Sequence, residues 1–355
     1  MSNCPTKDPY VPFYPCEPIR SVKALSVALG IPELRLRRIA DVANRHYRVA
    51  DTIEKPDGTK RQTFDAYPRL KEIHTRIKER ILARVEFPQY LNGSLKGRST
   101  RKNAEAHVGA KISISEDIAQ FFPSITESIV YAMWSGLFRF SGEVASLLTL
   151  LTIKDGEVPQ GAVTSSYLAN LALWLHEPAL VRKFEGQGFI YTRYVDDITV
   201  SSSRRLTVAE QTAIVSAIYG MLIRFGLRPK RAKHEVQTAR RRMATTKLLN
   251  NAKVSQPKEK RQAVRAAVFQ LEQRAAFGER DKGLAKELAR VSCRVGMLAT
   301  LHSGEATLLK ARLKTLRRSL EPVTPQRAAG KGQDGPDTSN LVTLDELIAQ
   351  DGPDY

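Results

Sequence analysis

Two adjacent carboxylates, Asp196 and Asp197, stand inside the stretch FIYTRYVDDITVSSS, residues 189–203. Ile190, Thr192 and Tyr194 alternate before them, and Ile198, Thr199 and Val200 follow. That rhythm and composition predict strand, turn and strand. Carboxylates at the tip of a hairpin with buried flanks are costly unless a positive charge meets them. A divalent metal ion, which takes oxygen ligands, meets them most simply. A solvated turn accounts for the same pair, because Asp favours turns. A second acidic strand separates these readings. In KISISEDIAQFFPSI, residues 111–125, Ile112 and Ile114 again predict a strand, with Asp117 at its end. Three carboxylates converging from two neighbouring strands can hold two Mg²⁺ ions, with Mn²⁺ as the alternative metal. Such a pair activates an attacking hydroxyl and stabilises a leaving pyrophosphate oxygen.

The elements that must position these groups carry further motifs. Tyr194-Val195-Asp196-Asp197 resembles the YxDD box of reverse transcriptases. Asp117 with Phe121 and Phe122 resembles their DIxxFF box, and Val158-Pro159-Gln160-Gly161 their [LV]PQG box. Asn103-Ala104-Glu105-Ala106-His107 resembles the NAxxH element of the retron branch. The pattern is most similar to bacterial retron reverse transcriptases and covers roughly residues 20–315. One place departs from it: where retron enzymes usually show VTG, this chain reads Met243-Ala244-Thr245-Thr246-Lys247.

The resemblance implies an α+β right-hand polymerase with fingers, an antiparallel palm sheet and a helical thumb. It implies an RNA-directed DNA polymerase in which Asp117, Asp196 and Asp197 are catalytic and bind the metals. Lys55 and Arg61, either side of the Asp57-Gly58 turn signal, would clamp the nucleotide triphosphate. Phe122 would exclude a ribose 2′-OH, Gln160 would position the nucleotide, and Lys233 would protonate pyrophosphate, with Lys230 as its rival. Alternation places Phe122 and Asp117 off a common strand face, so the chain must turn between them. The basic loop 92–107 carries Lys96 and Arg98, which with Asn103 and His107 are read as RNA contacts. His107 is read as a hydrogen-bonding scaffold residue more than a catalyst. The partners implied are dNTPs, a structured non-coding RNA serving as template and primer, its DNA product, and an effector protein in anti-phage defence. Two alternatives stay open: another phage-defence reverse transcriptase without such an RNA, and a catalytically silent RNA-binding protein.

Local signals outline the rest. Ser21–Leu29, closed by Gly30, and Pro32–Arg45 predict helices. Tyr47–Phe64 predicts a hairpin, and Tyr67–Val85 a helix with Leu70, Ile73, Ile77 and Ile81 on one face. Ser124–Phe138 predicts a helix with Ser124 and Glu127 as a capping box. Ser141–Ile153, Thr164–Leu175 and Val208–Phe225 complete the helices of this part. Residues 257–320 read as basic helices, with Val264, Val268, Leu271, Leu284, Leu288, Val291, Leu308, Leu309, Leu313 and Leu316 at helical spacing. The expected organisation is an irregular segment 1–19, fingers and palm 20–235, a basic thumb 236–320, and a disordered tail 321–355 with a short acidic helix over Leu341–Ala349.

Composition agrees with a polyanionic partner. The 355 residues carry 56 Lys and Arg against 37 Asp and Glu, a net charge of +19. Residues 228–261 alone hold twelve Lys or Arg and two Glu. Cys4, Cys16 and Cys293 show no metal-binding spacing. No apolar run reaches the roughly 20 residues of a membrane span, and the first residues lack a signal pattern. A cytoplasmic protein with no membrane partner is therefore expected.

Overall fold

The computed structural model describes residues 8–54, 58 and 60–320. Lys55, Asp57 and the expected tail helix lie outside them. Two strands, β1 (Tyr47–Glu54) and β2 (Lys60–Ala66), form an exposed antiparallel hairpin. Four more form one antiparallel sheet: β3 (Ile112–Asp117), β4 (Phe189–Tyr194), β5 (Asp197–Ser202) and β6 (Glu235–Thr238), in the order β4-β5-β3-β6. A short hairpin, β7 (Ala244–Thr245) with β8 (Leu248–Leu249), follows.

Side chains alternate along each strand, so the pairing register assigns every residue of the sheet to a face. Ile114 opposes Val200, which opposes Tyr191, and these belong to the main apolar core. Phe184, Ile214, Ile218 and Leu222, from helices Glu177–Gly186 and Val208–Arg224, are in the same core. The opposite face is polar: Ser113, Ser115 and Asp117 line up with Ser201, Thr199 and Asp197. Glu116 therefore points away from its neighbour Asp117. There it accepts from Tyr219 Oη at 3.1 Å and meets His234 Nδ1 at 2.5 Å.

The helix ends follow ordinary capping chemistry. Ser21 caps Val22–Leu29, and Gly30, at φ 62°, closes it in the left-handed region. Thr207 and Glu210 form a reciprocal capping box at Val208–Arg224. The box expected at Ser124 does not form. Phe121–Ser124 is a helical turn of its own, and Thr126 precedes the next helix, Glu127–Ala132, without a side-chain cap bond. The chain then widens into a π-turn over Met133–Leu137. The loop expected over residues 92–107 contains a helix, Thr100–Glu105, capped by Ser99.

The chain divides into two compact units between Lys253 and Val254. The expected boundary at 235/236 comes too early, because β6 is bonded to β3 within the sheet. The second unit consists of helices Lys258–Ala276, Lys282–Ala299 and Ser303–Leu320. Its core is aliphatic, built on Val268, Leu271, Leu288, Val291, Leu309 and Leu313. Leu308, expected in that stripe, is 69% exposed; Ala306 takes the inward place instead.

Candidate active site

The two strands that bear the carboxylates end together. Asp117 is the register partner of Asp197, and the Ile118 amide donates to the Asp196 carbonyl at 3.0 Å. Tyr194 pairs with Asp197, so β4 and β5 are joined by Val195 and Asp196 alone. Val195 sits at φ 58°, where a β-branched residue is strained. The sheet thus ends in three carboxylates. Burial, then the neighbouring Asp117, pushes the Asp196 carboxyl up. Burial, then Asp196 and Asp117, pushes Asp197 up to about 6.

A cationic segment closes over them. The Lys230 amide donates to the Asp117 carbonyl at 2.7 Å, and the Lys233 ammonium is ion-paired with the Asp117 carboxylate. Burial pulls Lys233 down, but its bond to Asp117 together with the charges of Asp117, Asp196 and Asp197 leaves it raised. Among the described residues, no three His, Cys, Asp or Glu side chains stand together as a group that could hold a metal ion. Lys233 is the cation that the Asp117 carboxylate meets here.

Two clefts meet at this point. The first, about 720 Å³, runs past Asp117, Phe122, Gln160 and Asp196 to Lys60, Arg61, Lys230 and Lys233. The second, about 500 Å³, holds Tyr194, Asp196, Asp197, Thr246 and Lys247. Arg61, Phe122 and Gln160 line both. Arg61 Nε donates to Gln160 Oε1 at 2.8 Å, and the Phe64 amide donates to the Gln160 carbonyl at 2.7 Å. A Cβ at Gly161, where φ is 104°, would stand 2.9 Å from the Phe64 carbonyl oxygen, so only glycine lets β2 dock here. Phe122 is half-buried and meets the buried Phe121 edge-on at 6.1 Å. Gln120, at φ 46°, makes the turn between Asp117 and Phe122.

No family model matches the chain. Individual proteins do. It is 30% identical over 303 residues to the retron Se72 reverse transcriptase of Salmonella heidelberg, covering 84% of this chain and 80% of that one. It is 36% identical over 196 residues to the retron Ec48 reverse transcriptase of Escherichia coli, covering 52% and 48%. The retron Ec86 reverse transcriptase of Escherichia coli is 27% identical over 250 residues, covering 70% and 77%. The chain belongs to the retron reverse transcriptases. It is an RNA-directed DNA polymerase.

The enzyme brings Asp117, Asp196, Asp197, Arg61, Phe122, Gln160 and Lys233 to one place. The residues read as RNA contacts fare differently. Lys96 is exposed. Arg98 instead donates to the carbonyls of Phe87, Pro88 and Gln89 and to the Gln89 side chain, pinning its own loop. Asn103 and His107 are buried and offer no surface to RNA, which corrects that expectation. His107 Nδ1 lies 2.7 Å from Ser201 Oγ, and Nε2 2.7 Å from Thr192 Oγ1, so it braces the polar sheet face.

Several residues of the site carry little signal in the sequence. Thr246 and Lys247 form the β7–β8 turn at φ 49° and 65°, both left-handed without a glycine, and face the second cleft. Their displacement of VTG was visible, but not where it would fold. Gly93, Glu177 and Arg193 were also missed. Arg193 is a lone charge in an otherwise uncharged strand, which was the one available signal. Among the described residues, no helix is long and apolar enough to cross a membrane.

Proposed function

We propose that the first unit is the fingers and palm of a right-hand polymerase, that the helical unit is its thumb, and that it copies a structured non-coding RNA into DNA. The observation that carries the reading is the pairing of Asp117 with Asp197 beside the Asp196 turn, at the mouth of a cleft lined by Lys60, Arg61, Lys230 and Lys233. The donor chemistry suits hard divalent cations, although the three side chains are not gathered into one metal-binding group here and Lys233 holds Asp117: all three are carboxylates, and two are pushed up by burial and neighbouring carboxylates. Asp117, Asp196 and Asp197 would hold two Mg²⁺ ions, whose chemistry is to activate a hydroxyl and offset charge on a leaving phosphate.

The remaining roles belong to the chain. Arg61, now held by Gln160, lies where a triphosphate would enter, and Lys60 and Lys230 add charge to the same cleft. Lys233 holds a proton beside Asp117 that it can pass to pyrophosphate. The Phe122 ring, backed by Phe121, closes the space that a 2′-OH would need. Lys55 would join Arg61 on the triphosphate, and Lys96 is the exposed candidate for RNA. The retron relationship supports priming from an internal 2′-OH of the RNA and a role with an effector in anti-phage defence.

The test is to express the chain with its flanking genomic DNA and sequence the nucleic acid that copurifies, beside Asp196→Ala. Short DNA joined to RNA through a 2′ branch, seen only with the intact aspartate, is expected. Unbranched DNA would move the protein to another defence role. RNA alone from both preparations, with no Mg²⁺-dependent extension of a primed template, would overturn the polymerase reading.

A further inference from the structure

Beneath the catalytic turn lies an ion pair with no part in the chemistry above. Arg193 and Glu177 are 0% and 1% exposed. Arg193 Nε and Nη2 donate to the two Glu177 oxygens at 2.6 and 2.8 Å. Nη2 also donates to the Asn170 carbonyl at 2.9 Å, and Nη1 to the Val195 carbonyl at 3.0 Å. Tyr191 Oη donates to Glu177 at 2.7 Å. A buried pair of this kind is weak evidence for stability, because desolvation offsets its attraction. Its reach to Val195 indicates another purpose, since Val195 is the strained residue directly before Asp196.

The other side of the turn is equally confined. A Cβ at Gly93 would lie 2.3 Å from the Val195 amide nitrogen and 2.8 Å from the Tyr194 carbonyl carbon. These are backbone atoms, which cannot swing aside. Asn170 Nδ2 donates to the Gly93 carbonyl at 2.8 Å, and the Asn92 amide to the Arg193 carbonyl at 2.9 Å. Asn170 thus ties the two sides together: its carbonyl accepts from Arg193 and its side chain holds Gly93.

We propose that the Glu177–Arg193 pair and the Gly93 backbone clamp Val195 from both sides, and so set where Asp196 presents its carboxylate to a metal ion. They are positioning residues, acting through a turn whose own conformation is unfavourable. The proposal rests on the reading of Asp117, Asp196 and Asp197 as metal ligands. It separates geometry from stability: a clamp can be removed while the fold survives.

The experiment measures Mn²⁺ binding to the full chain, without nucleic acid or nucleotide, by the loss of the free-ion paramagnetic resonance signal. Gly93→Ala displaces the turn without touching a charge. The triple variant Glu177→Leu, Arg193→Met, Tyr191→Phe replaces the buried network by apolar groups of similar size, which folds often tolerate. The triple variant is expected to melt near wild type and Gly93→Ala lower, from the strain of its added Cβ, and both to retain RNA. Their Mn²⁺ affinity is expected to fall about ten- to a hundred-fold, as when groups behind metal ligands are removed. The Mg²⁺ concentration for half-maximal incorporation should rise in parallel. Wild-type Mn²⁺ affinity in a variant that folds would overturn the proposal, and so would collapse of both folds, which would make the pair merely stabilising. If wild-type protein shows no Mn²⁺ binding that Asp196→Ala removes, the metal reading itself fails.

Discussion

The two units of this chain solve different problems with different interiors. The sheet unit buries charged and polar groups: Glu116, Asp117, Glu177, Arg193, His107, Thr192 and Ser201. The helical unit packs Val, Leu and Ala, and no polar residue is buried among its described residues. Directional bonds hold atoms at fixed places and tolerate little displacement, which suits a site that must align a reacting hydroxyl. An aliphatic core only has to keep three helices together while their outer faces carry charge. On the proposed thumb role, such a surface would grip phosphates whatever their sequence.

The largest effect should come from the sheet unit's carboxylates. Asp196→Ala should lower incorporation by on the order of a thousand-fold or more while copurifying RNA stays at wild-type level. Equal loss of both would break the contrast, by making the site structural.

The helical unit should respond in stability instead. Leu288, 2% exposed, packs at the centre of its core. Leu288→Ala should cost about 3 kcal/mol, read as an earlier urea transition of that unit. The apparent KM for dNTP should not move; a shift there would mean that the units share more than a chain.

Acid should act on the sheet unit. Burial pushes His74 and His107 down to about 4. An imidazole kept neutral by folding contributes fully above the ordinary His pKa, and that contribution is lost as pH falls from there towards 4. Going from pH 7 to pH 5 should therefore cost about 2 kcal/mol for each histidine. Urea midpoints at the two pH values should converge in His107→Gln relative to wild type.

Smaller effects sharpen the picture. Phe122→Ala should relax discrimination against ribonucleotides roughly tenfold or more, measured as a ratio of kcat/KM values. Unchanged sugar selectivity would remove Phe122 from that role. Lys310 and Lys314 are exposed one turn apart on the last helix. Replacing both by Ala should weaken duplex binding modestly and flatten its salt dependence by about 0.9 for each phosphate that is no longer neutralised.

Much of this was legible because local rules carried it. Asp117 and the Asp196–Asp197 pair stand out as charges that interrupt strand alternation, and Gly30 occupies a position that a helix end requires. Other features depended on context. Ser124 looked like a cap, yet the turn at Gln120 starts a separate helical turn before it, and Thr126 precedes the next helix. Asn103 and His107 sit in a basic stretch that reads as an RNA contact, but both are buried, Asn103 on the helix Thr100–Glu105 and His107 just beyond it, where its bonds to Ser201 and Thr192 agree with the scaffold role.

Read alone, the sequence determined the chemistry: which side chains are acidic or basic, where strands end, and which family the motifs resemble. Tertiary structure alone decided that Lys233 meets Asp117 while Lys230 contributes its amide, that Arg98 pins a loop, and that Gly93 and Arg193 enclose Val195. The reason is physical. Strand and helix periodicities are set by neighbours within a few residues, whereas a buried charge takes its meaning from partners far away in the chain, which only packing brings within reach.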